Sequence, residues 1–210
     1  MPKVVDHEER RLEISRVAAL LISRGGLEAA TIREIARESG YSKGVVEHYF
    51  ENKEELIDGA LSWANSQYER RVAQTTRDQQ GLEAMRKRME ATLPMTTAVC
   101  DEWKIRLVFW GMAAIDPVLR NRQEKRTQHA VDLFSKDIQD AMAAGELKGD
   151  MDAASEARQL VNSITGISIA ALHNRPLYTA SFLRAEMEKL LQRLTPSDAP
   201  TALKKQSNSQ

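Results

Sequence analysis

Apolar residues recur at helical spacing along most of the chain, and polar residues fill the positions between them. Residues 7–24 carry one such apolar face, which Gly25 and Gly26 bring to an end. A second face begins after Asn52 and comprises Leu56, Ile57, Ala60, Leu61 and Ala64. No segment alternates with the period of two that is typical of β-strands. The pattern therefore predicts an all-α protein.

The same spacing predicts five further helices in the rest of the chain. Pro94 kinks or ends the first of them, Asp116-Pro117 ends the second, and Gly145 with Gly149 ends the third. We place these helices at 81–98, 101–115, 120–145, 153–173 and 178–194. The tail from Pro196 has a polar composition that predicts disorder.

The stretch from Thr31 to Lys53 has the signals of two short helices joined by a turn. Thr31 followed by Glu34 is a capping box, which predicts the start of a helix. Gly40 can adopt the left-handed conformation that ends this helix, and Ser42 can cap the next one. Two short helices joined by a glycine turn are the geometry that places a second helix in the major groove of DNA. The stretch therefore predicts a helix-turn-helix.

Two sequence segments in this region resemble the tetracycline-repressor (TetR) family of bacterial regulators. They are GYSKGVVEHYFENKEEL at residues 40–56 and AALLISRGGLEAATIREIA just upstream. The resemblance implies a DNA-binding domain in which particular side chains touch phosphates or bases. In this chain the matching residues are Thr31, Arg33, Ser42, Lys43, Gly44, His48, Tyr49 and Lys53.

Val45 and Glu47 lie on the same predicted recognition helix and complete the predicted DNA-binding set. Glu47 departs from the family, in which an aromatic residue is more usual. It could form an ion pair with Lys43, repel phosphates, or accept a hydrogen bond from a cytosine amine. We favour repulsion, because base contacts come mainly from the first turn of a recognition helix.

The overall charge argues against broad adhesion to nucleic acids or membranes. The chain has 30 Lys and Arg residues and 30 Asp and Glu residues. Residues 1–53 are also balanced, with nine basic and nine acidic side chains. Sequence-specific binding to double-stranded DNA remains compatible with this balance, since a local patch decides it.

Neither a metal site nor a cofactor is expected. Cys100 is the only cysteine, and the four histidines have no cysteine or histidine partner at ligand spacing. The charged start of the sequence lacks the apolar core of a secretory signal, and no apolar run is long enough to span a membrane. We therefore expect a cytoplasmic protein.

An enzymatic alternative comes from Gly40 to Gly44, which match the G-x-S-x-G nucleophile elbow of serine hydrolases. That elbow requires a preceding strand, whereas the residues before Ser42 have helical character. We therefore predict that the protein is not an enzyme. A helical adaptor that binds another protein is a further alternative.

Large side chains cluster in WKIRLVFWGMAAI, residues 103–115, and they could line an effector pocket or simply form core. The candidate effector-binding residues are Trp103, Arg106, Leu107, Trp110 and Phe134. WKIRLVFWGMAAIDPVL is loosely similar to the choline-responsive BetI branch of the family, which implies a cationic effector. Arg106 would equally suit an acidic small molecule.

The last two predicted helices carry an apolar stripe that could be buried within the chain or against a second copy. The resemblance favours a two-fold homodimer, with two helix-turn-helices on a palindromic operator. The residues predicted for this interface are Leu160, Ile164, Leu183, Met187, Leu190, Leu191 and Leu194.

These observations predict three regions and one function. Residues 1–55 form a three-helix helix-turn-helix domain, and a continuous helix joins it to an effector-binding and dimerisation domain at 56–195. Residues 196–210 form the tail. The expected function is that of a transcriptional regulator, a repressor that a small-molecule effector releases from its operator.

Overall fold

The protein is all helical in the computed structural model, which describes residues 7–196. Within that range the chain forms no β-strand, which confirms the predicted fold class. The α-helices are α1 (His7–Gly25), α2 (Ile32–Ser39), α3 (Lys43–Tyr49), α4 (Lys53–Thr76), α5 (Gly81–Thr92), α6 (Thr97–Ala113), α7 (Pro117–Ala143), α8 (Ala153–His173) and α9 (Ala180–Gln192). A short 3-10 helix, Leu27–Ala29, connects α1 to α2. The predicted tail lies outside the described residues except for Pro196.

Side-chain caps fix the starts of α2, α3 and α4, as the sequence predicts. Thr31 Oγ1 accepts a hydrogen bond from the backbone N–H of Glu34 at 3.2 Å. Ser42 caps α3 in the same way, and Asn52 caps α4. Gly40 ends α2 with φ of 73°, a conformation that costs glycine no steric strain. These local contacts set the length of each element of the helix-turn-helix.

The predicted boundaries around α6 and α7 need correction. Helix α5, predicted to continue to residue 98, ends at Thr92. Helix α6 begins at residue 97 because Thr96 caps it. Asp116 does not merely end α6, since its carboxylate caps α7 and Pro117 occupies the first turn of that helix. Proline suits this position because its missing N–H would have no partner there.

The first of two hydrophobic cores joins the helix-turn-helix to the helices behind it. This core packs α1, α2, α3 and the first half of α4 together. One face of α6 enters the same core through Ile105, Phe109 and Ala113. A helix from the second half of the chain therefore forms part of the support of the helix-turn-helix.

The second core lies among α5, α6, α7, α8 and α9. Its buried side chains include Met85, Met89, Trp103, Phe134 and Ile138. Helix α8 packs against α7, and α9 packs against α5. The two cores meet along α4 and α6, since both helices contribute to the first core and contact elements of the second.

The structure corrects the predicted dimer interface. Six of its seven residues are already buried within this single chain, at 0–3% exposure, and only Leu190 is partly exposed. An apolar stripe shows that a helix face is covered, but not by which neighbour. Here other helices of the same chain cover it. The six buried residues are Leu160, Ile164, Leu183, Met187, Leu191 and Leu194.

Candidate DNA-binding surface and effector cavity

Helix α3 presents a polar face to solvent and is held by two buried anchors. Val46 and Phe50 are 0% and 1% exposed, and both belong to the first core. The opposite face carries exposed Lys43, Gly44, Glu47 and His48, whereas Val45 is partly buried. The helix can therefore present this face to a DNA groove without disturbing its anchors.

Helix α2 supports α3 and places two of the predicted contact residues at its start. Thr31 and Arg33 are exposed, while Ile35 and Ala36 pack into the first core. Ser42, the cap of α3, is exposed as well. These three predicted contact residues thus lie at or near the amino ends of the two helices, where free backbone N–H groups favour anions.

Tyr49 and the turn before α3 are bonded to α1, which the sequence did not indicate. The Tyr49 hydroxyl lies 3.0 Å from His7 Nδ1, and Arg11 donates a hydrogen bond to the Tyr49 carbonyl at 2.7 Å. Tyr41 donates to the Glu13 carboxylate at 2.6 Å, and this bond raises the pKa of Tyr41. These contacts with α1 therefore fix the positions of both ends of α3.

Two of the candidate DNA-binding lysines form exposed ion pairs within the chain. Lys43 Nζ lies 3.1 Å from Glu47 Oε1, four residues later on α3. Lys53 Nζ lies 3.2 Å from Glu28 Oε1, on the 3-10 helix. Exposed pairs of this kind contribute little to stability, so a DNA phosphate can replace either carboxylate at small cost.

A cavity of about 780 Å³ lies between α4, α6, α7 and α8, with part of its wall from α5. Four of the five predicted effector-binding residues line it: Trp103, Arg106, Trp110 and Phe134. Leu107 is not among the lining residues. The sequence also missed Tyr68 of α4 and Arg126 of α7, which lie on helices far apart in the chain.

Aromatic rings and guanidinium groups face each other in this cavity. The Arg106 guanidinium lies 5.2 Å from the ring centre of Tyr68 and 5.2 Å from that of Trp103. Arg126 lies 5.2 Å from the ring of Phe109. Burial lowers the pKa of Arg106, although Glu102 opposes this effect, and burial also lowers the pKa of Arg126.

Two stronger ion pairs hold the walls of the cavity in place. Arg71 of α4 donates two hydrogen bonds of 2.8 Å to the Glu102 carboxylate of α6. Arg88 of α5 donates to Asp137 of α7 at 2.7 and 3.2 Å, and both side chains are buried. Each pair links two different helices around the same space.

Residues 7–196 lack the features of three other classes of site. Ser42 follows helix α2 and a turn rather than a strand, so the context of a nucleophile elbow is missing. No group of three or more potential metal ligands lies together in the described part of the chain. None of its helices is long and apolar enough to cross a membrane.

Comparison with protein families agrees with the fold and with the position of the helix-turn-helix. The model of bacterial regulatory proteins of the tetR family matches residues 14–60. The model of the BetI-type transcriptional repressor C-terminal domain matches residues 81–196, which is more than half of the chain. The two matches together include α2, α3 and most of the residues around the cavity.

Individual relatives are also regulators. The PksA regulator of Bacillus subtilis is 43% identical over 61 residues, which cover 29% of this chain and 30% of PksA. A BetI regulator of Paraburkholderia phymatum is 28% identical over 134 residues, or 61% of this chain and 66% of its own length. A BetI regulator of Burkholderia mallei aligns over 93% of this chain and 99% of its own length, at 24% identity.

Solved structures share the fold at low identity. A transcriptional regulator from Saccharomonospora viridis, in complex with choline, superposes with a TM-score of 0.83 at 22% identity, covering 90% of this chain and 99% of its own. A regulator from Rhodococcus has a TM-score of 0.76 at 22% identity, covering 88% and 95%. The fold and the relatives are those of transcriptional regulators and not of enzymes. The chain belongs to the TetR family of DNA-binding transcriptional regulators and carries a BetI-type C-terminal domain.

Proposed function

We propose that this protein is a homodimeric repressor that a small-molecule effector releases from a palindromic operator. The observation that carries the proposal is the sharing of α4 and α6 between the support of the helix-turn-helix and the wall of the cavity. A molecule in the cavity touches the same two helices that position α3. We place the boundary between the DNA-binding domain and the effector-binding domain near residue 55, inside α4.

Helix α6 supports this mechanism because its two faces serve different parts of the protein. Ile105 and Phe109 pack in the first core, while Arg106 and Trp110 line the cavity. A rotation or shift of α6 that accommodates an effector therefore also displaces side chains beneath the helix-turn-helix. Closely packed interiors transmit such displacements because they contain little free space.

Helix α4 transmits the same displacement through a close contact at Gly59. A Cβ atom at this position would lie 2.8 Å from Phe50 Cε1 and 2.8 Å from Ser15 Oγ. The backbone of α4 thus rests directly on the anchor of α3 and on α1. Residues further along the same helix, such as Leu61 and Tyr68, line the cavity.

The release step is a shift between two conformations of the protein. One conformation binds DNA more tightly, and the other binds the effector more tightly. The effector can weaken DNA binding only by as much as its own affinity differs between the two states. A coupling of about 1–3 kcal/mol, which is typical of such systems, corresponds to about 5- to 150-fold in operator affinity.

Footprinting on DNA that flanks the protein's own gene tests the proposed function. We expect protection of a palindrome whose half-sites lie about 34–36 Å apart along the helix axis, or a multiple of that distance. Protection of no fragment would favour the adaptor alternative. Protection of a single asymmetric site by a monomer would contradict the dimeric repressor.

For the dimer we propose the outer face of α8 and α9 in place of the buried stripe. Gly166 on this face is exposed, and no atom would lie within 4 Å of a Cβ added there. Apolar groups in the loop after α8 and on α9 also remain uncovered in the single chain, including Leu177 at 51% exposure and the partly exposed Phe182. An exposed small residue on α8 would permit the close approach of a second copy.

Gly166→Arg is expected to convert the dimer to a monomer and to abolish high-affinity operator binding. The space around Gly166 is open within one chain, so the arginine should not disturb the monomer fold. Gly111→Arg is the matched control, because Gly111 is also an exposed helical glycine with open space around it. Sedimentation velocity measures the outcome. A Gly166→Arg protein that remains dimeric would place the interface elsewhere.

Lys53→Ala is expected to weaken binding to all DNA sequences alike and to reduce the salt slope by about one unit. Its ammonium group lies at the start of α4, where a DNA phosphate would replace Glu28 as its partner. His48→Ala should also weaken all sequences alike, since His48 is exposed on the outer face of α3.

Glu28→Gln provides the control for the lysine. It removes the competing carboxylate and keeps the lysine, so binding should become equal to or tighter than that of the wild type. Fluorescence anisotropy at several salt concentrations measures both quantities. A change in base preference with an unchanged salt slope in Lys53→Ala would show that Lys53 reads sequence rather than phosphate.

A further inference from the structure

We propose that the effector is an organic anion with an apolar body, whose carboxylate or similar acidic head binds between Arg106 and Arg126. The proposal rests on the assignment of the cavity as the effector site. It assigns the charge class of the effector, and it identifies the two residues that select this class.

Two of the aromatic rings that line the cavity already hold a cation of the chain. The Arg106 guanidinium lies 5.2 Å from the rings of both Tyr68 and Trp103, which is the distance range of a cation–π contact. A quaternary ammonium ion is held in proteins by such rings when their faces are free. Here the protein's own cation takes this place, and a cationic ligand would meet it.

Both arginines line the cavity, and each has a buried guanidinium nitrogen without a hydrogen-bond partner among the described residues. The Nη1 atoms of Arg106 and Arg126 are inaccessible to solvent, and no described residue accepts a hydrogen bond from them. A buried donor without a partner is costly, and more so when it is charged. Arginine cannot relieve this cost by losing its proton, because it stays protonated in proteins.

The nearby carboxylates are committed to other arginines. Glu102 accepts both short hydrogen bonds of Arg71, and it lies 3.6 Å from Arg106 Nη2, beyond hydrogen-bonding distance. On the other side, Asp58 lies 2.7 Å from Arg122. Neither carboxylate fully compensates the two cavity arginines, and burial lowers the pKa of both for the same reason.

The balance of charges around the cavity also favours an anionic ligand. Its ionisable lining consists of Arg88, Arg106, Arg126, His129 and one acid, Glu69, which is exposed. Arg88 is neutralised by Asp137, so the net excess comes from Arg106 and Arg126. An anionic head would accept hydrogen bonds from both and would strengthen them through its charge.

The apolar part of the cavity wall indicates the chemistry of the ligand's body. Leu61, Val72, Leu133, Phe134 and Ile164 provide apolar surface in a cavity of about 780 Å³. This volume lies in the range of small-molecule sites, about 300–1,000 Å³. The chemistry therefore fits an acid with an aliphatic or aromatic body, and not a small inorganic anion.

Calorimetric titration of the full-length protein with three probes of similar shape tests the proposal. The probes are octanoate, octanol and octyltrimethylammonium, which differ mainly in the charge of the head. We expect octanoate to bind at least about tenfold tighter than octanol, since hydrogen bonds to charged groups are the strong ones. Octyltrimethylammonium should bind more weakly than octanol.

Arg106→Gln and Arg126→Gln should each weaken octanoate binding at least about tenfold and leave octanol binding nearly unchanged. Arg70→Gln is the control, because Arg70 is an exposed arginine of α4 outside the cavity. Circular dichroism establishes that each variant is folded. If a variant does not fold, the ranking of the three probes on the wild-type protein still tests the proposal.

Two results would overturn the proposal. One is tighter binding of octyltrimethylammonium than of octanoate, and the other is octanoate binding that neither arginine substitution changes. The titrations contain no DNA, so they are independent of the proposed repressor function. Octanoate binding through both arginines in a protein that protects no operator would retain the anion site and reject the repressor.

Discussion

Asp137→Ala is expected to lower the free energy of unfolding by about 3–5 kcal/mol, because it leaves a buried charge without its partner. Arg88 donates hydrogen bonds of 2.7 and 3.2 Å to the Asp137 carboxylate, and both side chains are only 7% exposed. Arg88 has little solvent contact to replace the lost partner, because its side chain is largely buried. Its guanidinium also lies 5.8 Å from the ring of Phe134, which fixes it in the second core.

Urea unfolding followed by circular dichroism measures this loss of stability, and two further variants serve as controls. Lys136→Ala, on the same helix, removes a surface ion pair with Asp140 and should leave the unfolding midpoint nearly unchanged. The double variant Arg88→Met/Asp137→Leu should recover much of the lost stability, since apolar replacements of buried ion pairs are often neutral or stabilising. An Asp137→Ala protein as stable as the wild type would show that water reaches Arg88.

The helix-turn-helix could be predicted from sequence because its determinants are local. Thr31, Ser42 and Asn52 each cap a helix through a backbone N–H only three residues away, and Gly40 ends α2 by its own conformation. Such signals depend on neighbours in the chain and not on the tertiary fold. The family resemblance covers the same segment, so the two arguments support each other.

The effector cavity could be predicted only in part. The stripe on α6 indicated Trp103, Arg106 and Trp110, because they recur at helical spacing in one segment. Tyr68 and Arg126 line the same cavity, although 58 residues separate these two in the chain. Nothing in the local sequence of α4 or α7 indicates that they lie together. Contacts between distant segments depend on how helices pack, which spacing within one helix does not determine.

Six of the seven residues predicted for the dimer interface are buried within the chain for a related reason. The stripe from Leu183 to Leu194 correctly indicated a covered face of α9, but α5 and the second core cover it. Periodicity indicates that a face is buried and leaves the identity of its partner open. The outer face proposed for the dimer is not a strong apolar stripe, so its exposure is known only from the packing of the helices.

Trp103→Ala is expected to lower the free energy of unfolding by about 3–5 kcal/mol, as is typical when a buried tryptophan is truncated. Trp103 is 3% exposed and belongs to the second core, and its indole N–H donates a hydrogen bond of 2.8 Å to the Thr92 carbonyl. The substitution removes this bond and enlarges the cavity. It also removes one of the two rings that flank Arg106.

Trp110→Ala and Trp103→Phe separate the contributions to this loss. Trp110 is only partly buried and packs edge-on against Trp103 at 5.7 Å, so its truncation should cost clearly less. Trp103→Phe keeps an aromatic ring and loses mainly the hydrogen bond, which corresponds to about 1 kcal/mol. Urea unfolding ranks the three variants. If Trp103→Ala proves no less stable than Trp110→Ala, Trp103 serves chiefly to bind the effector rather than to hold the core, and its loss should then appear in the octanoate titration.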